Sequence, residues 1–222
     1  MHATSRVTGQ TKNMSDRRCE LRIATWNVHG SVRPDLADLA ATIDALDIDV
    51  IGLQEVRRHQ ARYLSRSLGL HGIWTFEHNG YSRLLPYLAE GLAILSRWTL
   101  DHDGDTELGG PRSRSDHRRR VATWATVAHP VGNFVLANTD LGSRGDEQQT
   151  SQLATLIAAG FPCHAHDRHD PLPTIVTGGP GVPVSVTDDW ETLAVAEPND
   201  ARLRRTASDH LPVVATVQMR SK

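Results

Sequence analysis

Seven short apolar runs, rich in β-branched residues, each break off into a polar group or a turn: LRIATWNV (21–28), DVIGLQEV (49–56), GLAILS (91–96), VATWATVA (121–128), FVLANTDL (134–141), PTIVTG (173–178) and LPVVATVQM (211–219). Runs of this length and composition read as strands. What lies between them restricts the fold further. Pro34 opens PDLADLAATIDALD, in which Leu36, Leu39, Ile43 and Leu46 recur at helical spacing, so Pro34 suits the first turn of a helix. Residues 57–68 suit a short helix, and GDEQQTSQLATLIAAG (145–160) an amphipathic one that stops at Gly160. HPVGN reads as a hairpin turn between the fourth and fifth runs. Helices separate some strands and hairpins others. An α/β chain with a mixed sheet, or with two packed sheets and helices outside, follows. The polar, arginine-rich stretch 101–120 reads as one long loop.

The 222 residues suit one large domain, or at most two small ones, and 39% hydrophobic against 23% charged residues supplies an ordinary core. Residues 1–19 read as a polar leader without the apolar stretch of a secretory signal, leaving 20–222 as a single domain. A formal charge of −2 excludes bulk attraction to nucleic acid or anionic membrane. No run approaches the ~20 apolar residues of a membrane span. Two cysteines, Cys19 and Cys163, make no disulfide framework, and a reduced, cytoplasmic setting is the expectation.

Polar groups stand where three of the runs begin or end: Asn27, Glu55 and the pair Asp209-His210. Each alone fits a cap or turn residue. Together, Glu55 and Asp209 are hard oxygen donors with Asn27 as a third, a set suited to Mg²⁺ or Mn²⁺. A metal of that kind polarises a phosphoryl oxygen, and His210 beside it suits a base or a phosphate donor. His29 fits a turn before Gly30 or a place near the cleft. RSRSDHRRR (112–120), with Arg118, Arg119 and Arg120 at its end, fits a solvated loop or one that holds an anionic ligand. Arg202, Arg204 and Arg205 read the same way, and nucleic-acid backbone enters only if both clusters share a rim. Cys163, His164, His166 and His169 crowd together but match no standard zinc spacing.

In order, TWNVHG, LQEV, GLAILSR, ANTDLGS and SDHLPVVA resemble the endonuclease/exonuclease/phosphatase superfamily over about residues 21–219. The resemblance implies a four-layer α/β/β/α sandwich of two packed mixed sheets, a metal at Asn27, Glu55 and Asp209, and a catalytic histidine at His210. It also implies a phosphoesterase acting on DNA, RNA, lipid or small phosphates. The chain departs from the family pattern in three places. A stretch like GDFN is expected after TIVT, and Gly178-Gly179-Pro180-Gly181 stands there instead. Asp140 occupies the place of a phosphate-donating histidine, and a recruited role as an extra metal ligand or catalytic group is open to it. Residues 182–208 offer no strand resembling IDYIFV, and nothing in the spacing selects Asp188, Asp189 or Asp200 as a replacement. Losing one preorganised donor costs about 10²–10³ in rate, so the expectation is a metal-dependent phosphoesterase with weak or lost activity. The rival expectation is an inactive scaffold for a phosphate ligand, nucleic acid or protein.

Overall fold

The computed structural model describes residues 20–79, 88–108, 121–130, 132–140, 174–178, 184–186, 190–196 and 211–219. The first sheet is built from β1 (Glu20–Asn27), β2 (Val50–Arg57), β3 (His71–Asn79) and β4 (Ala89–Ser96), to which β10 (Trp190–Ala196) and β11 (Val213–Met219) return late in the chain. Its order is β10-β11-β1-β2-β4-β3. The second sheet contains β5 (Leu100–Glu107), β6 (Val121–Val127), β7 (Phe134–Thr139), β8 (Thr174–Thr177) and β9 (Val184–Val186), in that order. Both sheets are mixed. β1 runs parallel to β2, and β7 parallel to β8, while the other pairings are antiparallel.

The parallel β1–β2 pair needs a crossover, and α1 (Leu36–Ala45) supplies it. Asp35 caps α1 by accepting from the Ala37 and Asp38 backbone N–H groups at 2.8 and 3.1 Å. Pro34 therefore precedes the cap rather than occupying the first turn. α2 (Arg58–Leu68) ends at Gly69, whose φ of 65° is the left-handed geometry that a C-terminal glycine accepts.

Alternation along the strands divides the apolar residues into two cores. Ala24, Trp26, Ile51, Leu53, Ala93 and Leu95 face α1 and α2, where Leu39, Ile43 and Leu64 meet them. Leu21, Ile23, Val50 and Ile94 face the second sheet and pack on Val127, Phe134, Leu136 and Ile175. Strands buried on both faces become continuous apolar runs, which explains why these segments carry so few charges before their ends. Helices, first sheet and second sheet form successive layers. The arrangement accords with the expected sandwich, whose further helix at 145–160 lies outside the described residues.

Two expectations about loops need correction. Residues 100–107 are not loop but the edge strand β5, paired antiparallel with β6. Its burial alternates because only one face meets the other sheet, which permits LDHDGDTE to be polar and still extended. A strand also precedes the final run: Trp190–Ala196, WETLAVA, pairs antiparallel with β11 through a bulge between Thr192 and Ala194. Leu193 and Val195 on this edge strand are exposed, so the core-like pattern that marks an inner strand is missing.

Candidate functional site

The two sheets meet at one end through side chains that are polar, buried and short of charge. On β1, Leu21, Ile23 and Thr25 share the face turned to the second sheet, and alternation puts Asn27 last in that row. On β2 the matching row is Val50, Gly52 and Gln54. Gln54 donates from Nε2 to Thr25 Oγ1 at 2.9 Å and to Asn138 Oδ1 at 2.6 Å. Asn138 returns two bonds from Nδ2, to the Leu53 carbonyl at 2.9 Å and the Ala93 carbonyl at 3.0 Å. Thr25 donates to the Gly178 carbonyl at 2.8 Å, and Thr177 Oγ1 lies 3.1 Å from Asn138 Oδ1. Gly52 makes this approach feasible. A Cβ there would collide with Thr177 Oγ1 and the Asn138 amide.

This stitching brings the ends of β1, β2, β7 and β8 to one mouth. Asn27 is buried and its Oδ1 accepts the His29 backbone N–H at 3.0 Å, a short turn that fixes the amide's orientation. His29 itself is left-handed, with φ 46°. Glu55 follows Gln54 and has φ 51°, an unfavourable backbone for a residue with a side chain. The β2–β4 ladder skips between Leu53 and Val56, so Gln54 and Glu55 stand out of register in a bulge. The loop beneath is closely set. Gln60 accepts the Arg57 N–H at 2.8 Å and donates to the Gly30 carbonyl at 3.0 Å, and a Cβ on Gly30 would meet Gln60 and the Glu55 carbonyl. Asp140, buried, follows β7 on the alternation of Asn138. Asn27, His29, Glu55 and Asp140 thus belong to this one end. Asp209, His210, Arg118, Arg119 and Arg120, along with Gly179–Gly181 and the cysteine-histidine cluster, lie outside the described residues; β11 starts at Val213, paired with Thr25, and β6 at Val121.

Glu90 is a carboxylate that reading the strands as apolar runs passed over. It precedes GLAILS by one residue, is buried, and stands opposite Arg57 across β2–β4 and opposite His78 across β3–β4. Burial, and after it the negative charge of Glu55, hold its carboxyl above the ordinary carboxylate range; His78, a hydrogen bond from Ser31 and Arg57 pull the other way. The signal in the sequence was an acid at the start of a wholly apolar strand, the mirror of Glu55 at the end of one. The amides and hydroxyls of Gln54, Asn138, Thr25 and Thr177 were also missed, because neutral polar residues inside apolar runs read as ordinary strand content.

The sequence profile of the Endonuclease/Exonuclease/phosphatase family matches residues 24–206. The chain belongs to this family. Solved structures share its fold. A mannosyl-6-phosphatase of Bacteroides thetaiotaomicron is 18% identical with a TM-score of 0.64, covering 89% of this chain and 99% of that one. The catalytic domain of human Nocturnin with bound sulfate is 15% identical with a TM-score of 0.62, covering 90% and 95%. D. rerio TDP2 complexed with single-strand DNA product is 14% identical with a TM-score of 0.60, covering 90% and 100%. No curated protein sequence matches the chain. No helix among the described residues is long and apolar enough to cross a membrane.

Proposed function

We propose that the chain is a phosphoester hydrolase of the family type, dependent on Mg²⁺ or Mn²⁺ and slow because its water-directing residues are altered. Family membership and relatives named for phosphatase activity or for a nucleic-acid product support the general class. The observation that carries the reading is Glu55. A left-handed glutamate in a bulge costs on the order of 1–3 kcal/mol, and here it stands at the strand end that also carries Asn27 and Asp140.

The donors fit a hard divalent cation: oxygen ligands only, one amide oriented by its own turn, and a buried Glu90 oxygen with no hydrogen bond among the described residues. Glu55 and Asn27 would hold the ion, joined by Asp209, and Asp140 is an added candidate. When bound, such an ion polarises a phosphoryl oxygen and neutralises charge as the ester breaks. The chain's own work is to orient and to exclude water. His29 fixes Asn27, the Gln54–Asn138 bridge holds the two strand ends together, and His210 serves as base or phosphate donor. His29 and Arg118–Arg120 contact the phosphate. In Gly178–Gly181 no acid or amide is present to aim a water, which is why turnover is slow. The same stretch favours a second reading, a scaffold that binds phosphate without chemistry.

Turnover decides between them. The full chain is incubated with an activated phosphodiester, abasic DNA and inositol phosphates, with Mn²⁺ or Mg²⁺, beside Glu55→Ala and His210→Asn. Metal-dependent product that disappears in both variants, with His210→Asn melting as the parent does, supports the hydrolase. Metal-dependent stabilisation without product supports the scaffold.

A further inference from the structure

A second group of buried charges stands beside this mouth. Glu77, His78 and Glu90 are all buried, at 0%, 7% and 4% exposure. The β3–β4 ladder shifts between Phe76 and His78, and that irregularity brings Glu77 and His78 together next to Glu90. His78 Nε2 lies 3.5 Å from Glu90 Oε2, and Nδ1 lies 3.7 Å from Glu77 Oε2. These are ion-pair separations, longer than hydrogen bonds. In its imidazolium form the ring offers one N–H to each carboxylate. The ring lies between the two carboxylates as a loose clamp at ion-pair distance, its Nδ1 without a hydrogen-bond partner among the described residues, and no group of three or more His, Cys, Asp or Glu residues able to hold an ion occurs among the described residues.

The clamp leaves part of its charge unanswered. Both Glu77 oxygens and Glu90 Oε1 are buried without a hydrogen-bond partner among the described residues. Buried carboxylate oxygens of this kind need a proton, a cation or water. Glu90 feels the negative charge of Glu55 against the Arg57 guanidinium and the His78 ring. Arg57 answers only part of this, and its own Nε has no partner among the described residues. Of the two, Glu90 is the one tied to the strand end that carries Glu55. It lies opposite Arg57, two residues beyond the bulged Glu55, within electrostatic reach of Glu55 and hydrogen-bonded by Ser31 from the loop after Asn27.

We infer that Glu90 is a second carboxylate of the cation mouth beside Glu55, and that His78, braced by Glu77, is the positioning residue that holds it there. This rests on the proposed cation-dependent reading of the site. It also accounts for how a mouth lacking the acid expected after Val176 still gathers enough negative charge for a divalent ion.

The test is a calorimetric titration of the full chain with Mn²⁺, comparing the parent, Glu55→Gln, Glu90→Gln, His78→Gln and the His78/Glu90 double variant. The expected result is Mn²⁺ binding that weakens about 10-fold or more in Glu90→Gln and in His78→Gln, outer residues of metal sites having effects of that order. The double variant should bind no more weakly than Glu90→Gln alone, because His78 acts through Glu90. Glu90→Asp, which keeps the charge but withdraws it, carries the same test if the glutamine variant does not fold. Parent-like affinity in Glu90→Gln and His78→Gln, with binding lost in Glu55→Gln, overturns this inference and leaves the proposed function standing. A parent chain that binds no Mn²⁺ overturns both.

Discussion

Gln54 and Asn138, 84 residues apart in sequence, are joined by a 2.6 Å hydrogen bond that ties the two sheets together one residue before Glu55. Both side chains are fully buried. Their bond is the deepest point of a polar bridge that runs on through Thr25 and Thr177. Its place beneath the mouth means that strand-end geometry and sheet packing are one problem in this protein.

Asn138→Ala tests the bridge. The variant strips partners from the Leu53 and Ala93 carbonyls and from Gln54, all within the sheet interface. Each buried group so exposed costs about 1–3 kcal/mol, and partial relaxation makes a total loss of about 3 kcal/mol reasonable. Urea unfolding followed by circular dichroism measures it. A loss below ~1 kcal/mol would show that the bridge is not what holds the sheets in register.

Glu55→Gly separates strain from function. Glycine accepts φ 51° without the side-chain penalty, so the variant should gain about 1 kcal/mol of stability. The same variant should lose any stabilisation by Mn²⁺. Melting curves with and without the ion read both effects, and a variant less stable than the parent would mean that the Glu55 side chain contributes more to the fold than its backbone costs.

Glu90 gives the pH dependence a definite sign. Its folded carboxyl is held above the ordinary value of 4.5, chiefly by burial. Well below 4.5 the group is protonated in folded and unfolded chains alike, and its contribution to stability is then fully present. As pH rises through the raised value the folded chain must carry a charge it disfavours, and that contribution is lost. Relative to the parent, Glu90→Gln should therefore gain melting temperature as pH rises above 4.5 and through the raised folded value. Parallel curves would contradict the assignment.

The sequence made the strands legible where they are buried on both faces, because continuous apolar runs such as those around Ile51 and Ile94 have few other uses. It made Asn27 and Glu55 legible as polar groups at strand ends, because a polar group at the end of such a run has to be accommodated. It hid β5 and β10, whose exposed faces let polar or loosely patterned residues stay extended. β3 was hidden too, since Glu77 and His78 sit in an irregular ladder at its end. The polar bridge could not be read, because nothing in one strand indicates which residue of a distant strand it will meet. Glu90 was readable in principle: AEGLAILS begins with an acid that the core cannot leave uncompensated.

If Glu55 anchors a divalent-cation site at the joined ends of the two sheets, as proposed, the ion stabilises the folded chain through that carboxylate. The most direct measurement is the melting temperature of the full chain with and without Mn²⁺, for the parent and for Glu55→Gln. The expected result is a rise with Mn²⁺ in the parent that grows with ion concentration, and no rise in Glu55→Gln. An equal rise in both chains, or none in the parent, would contradict it.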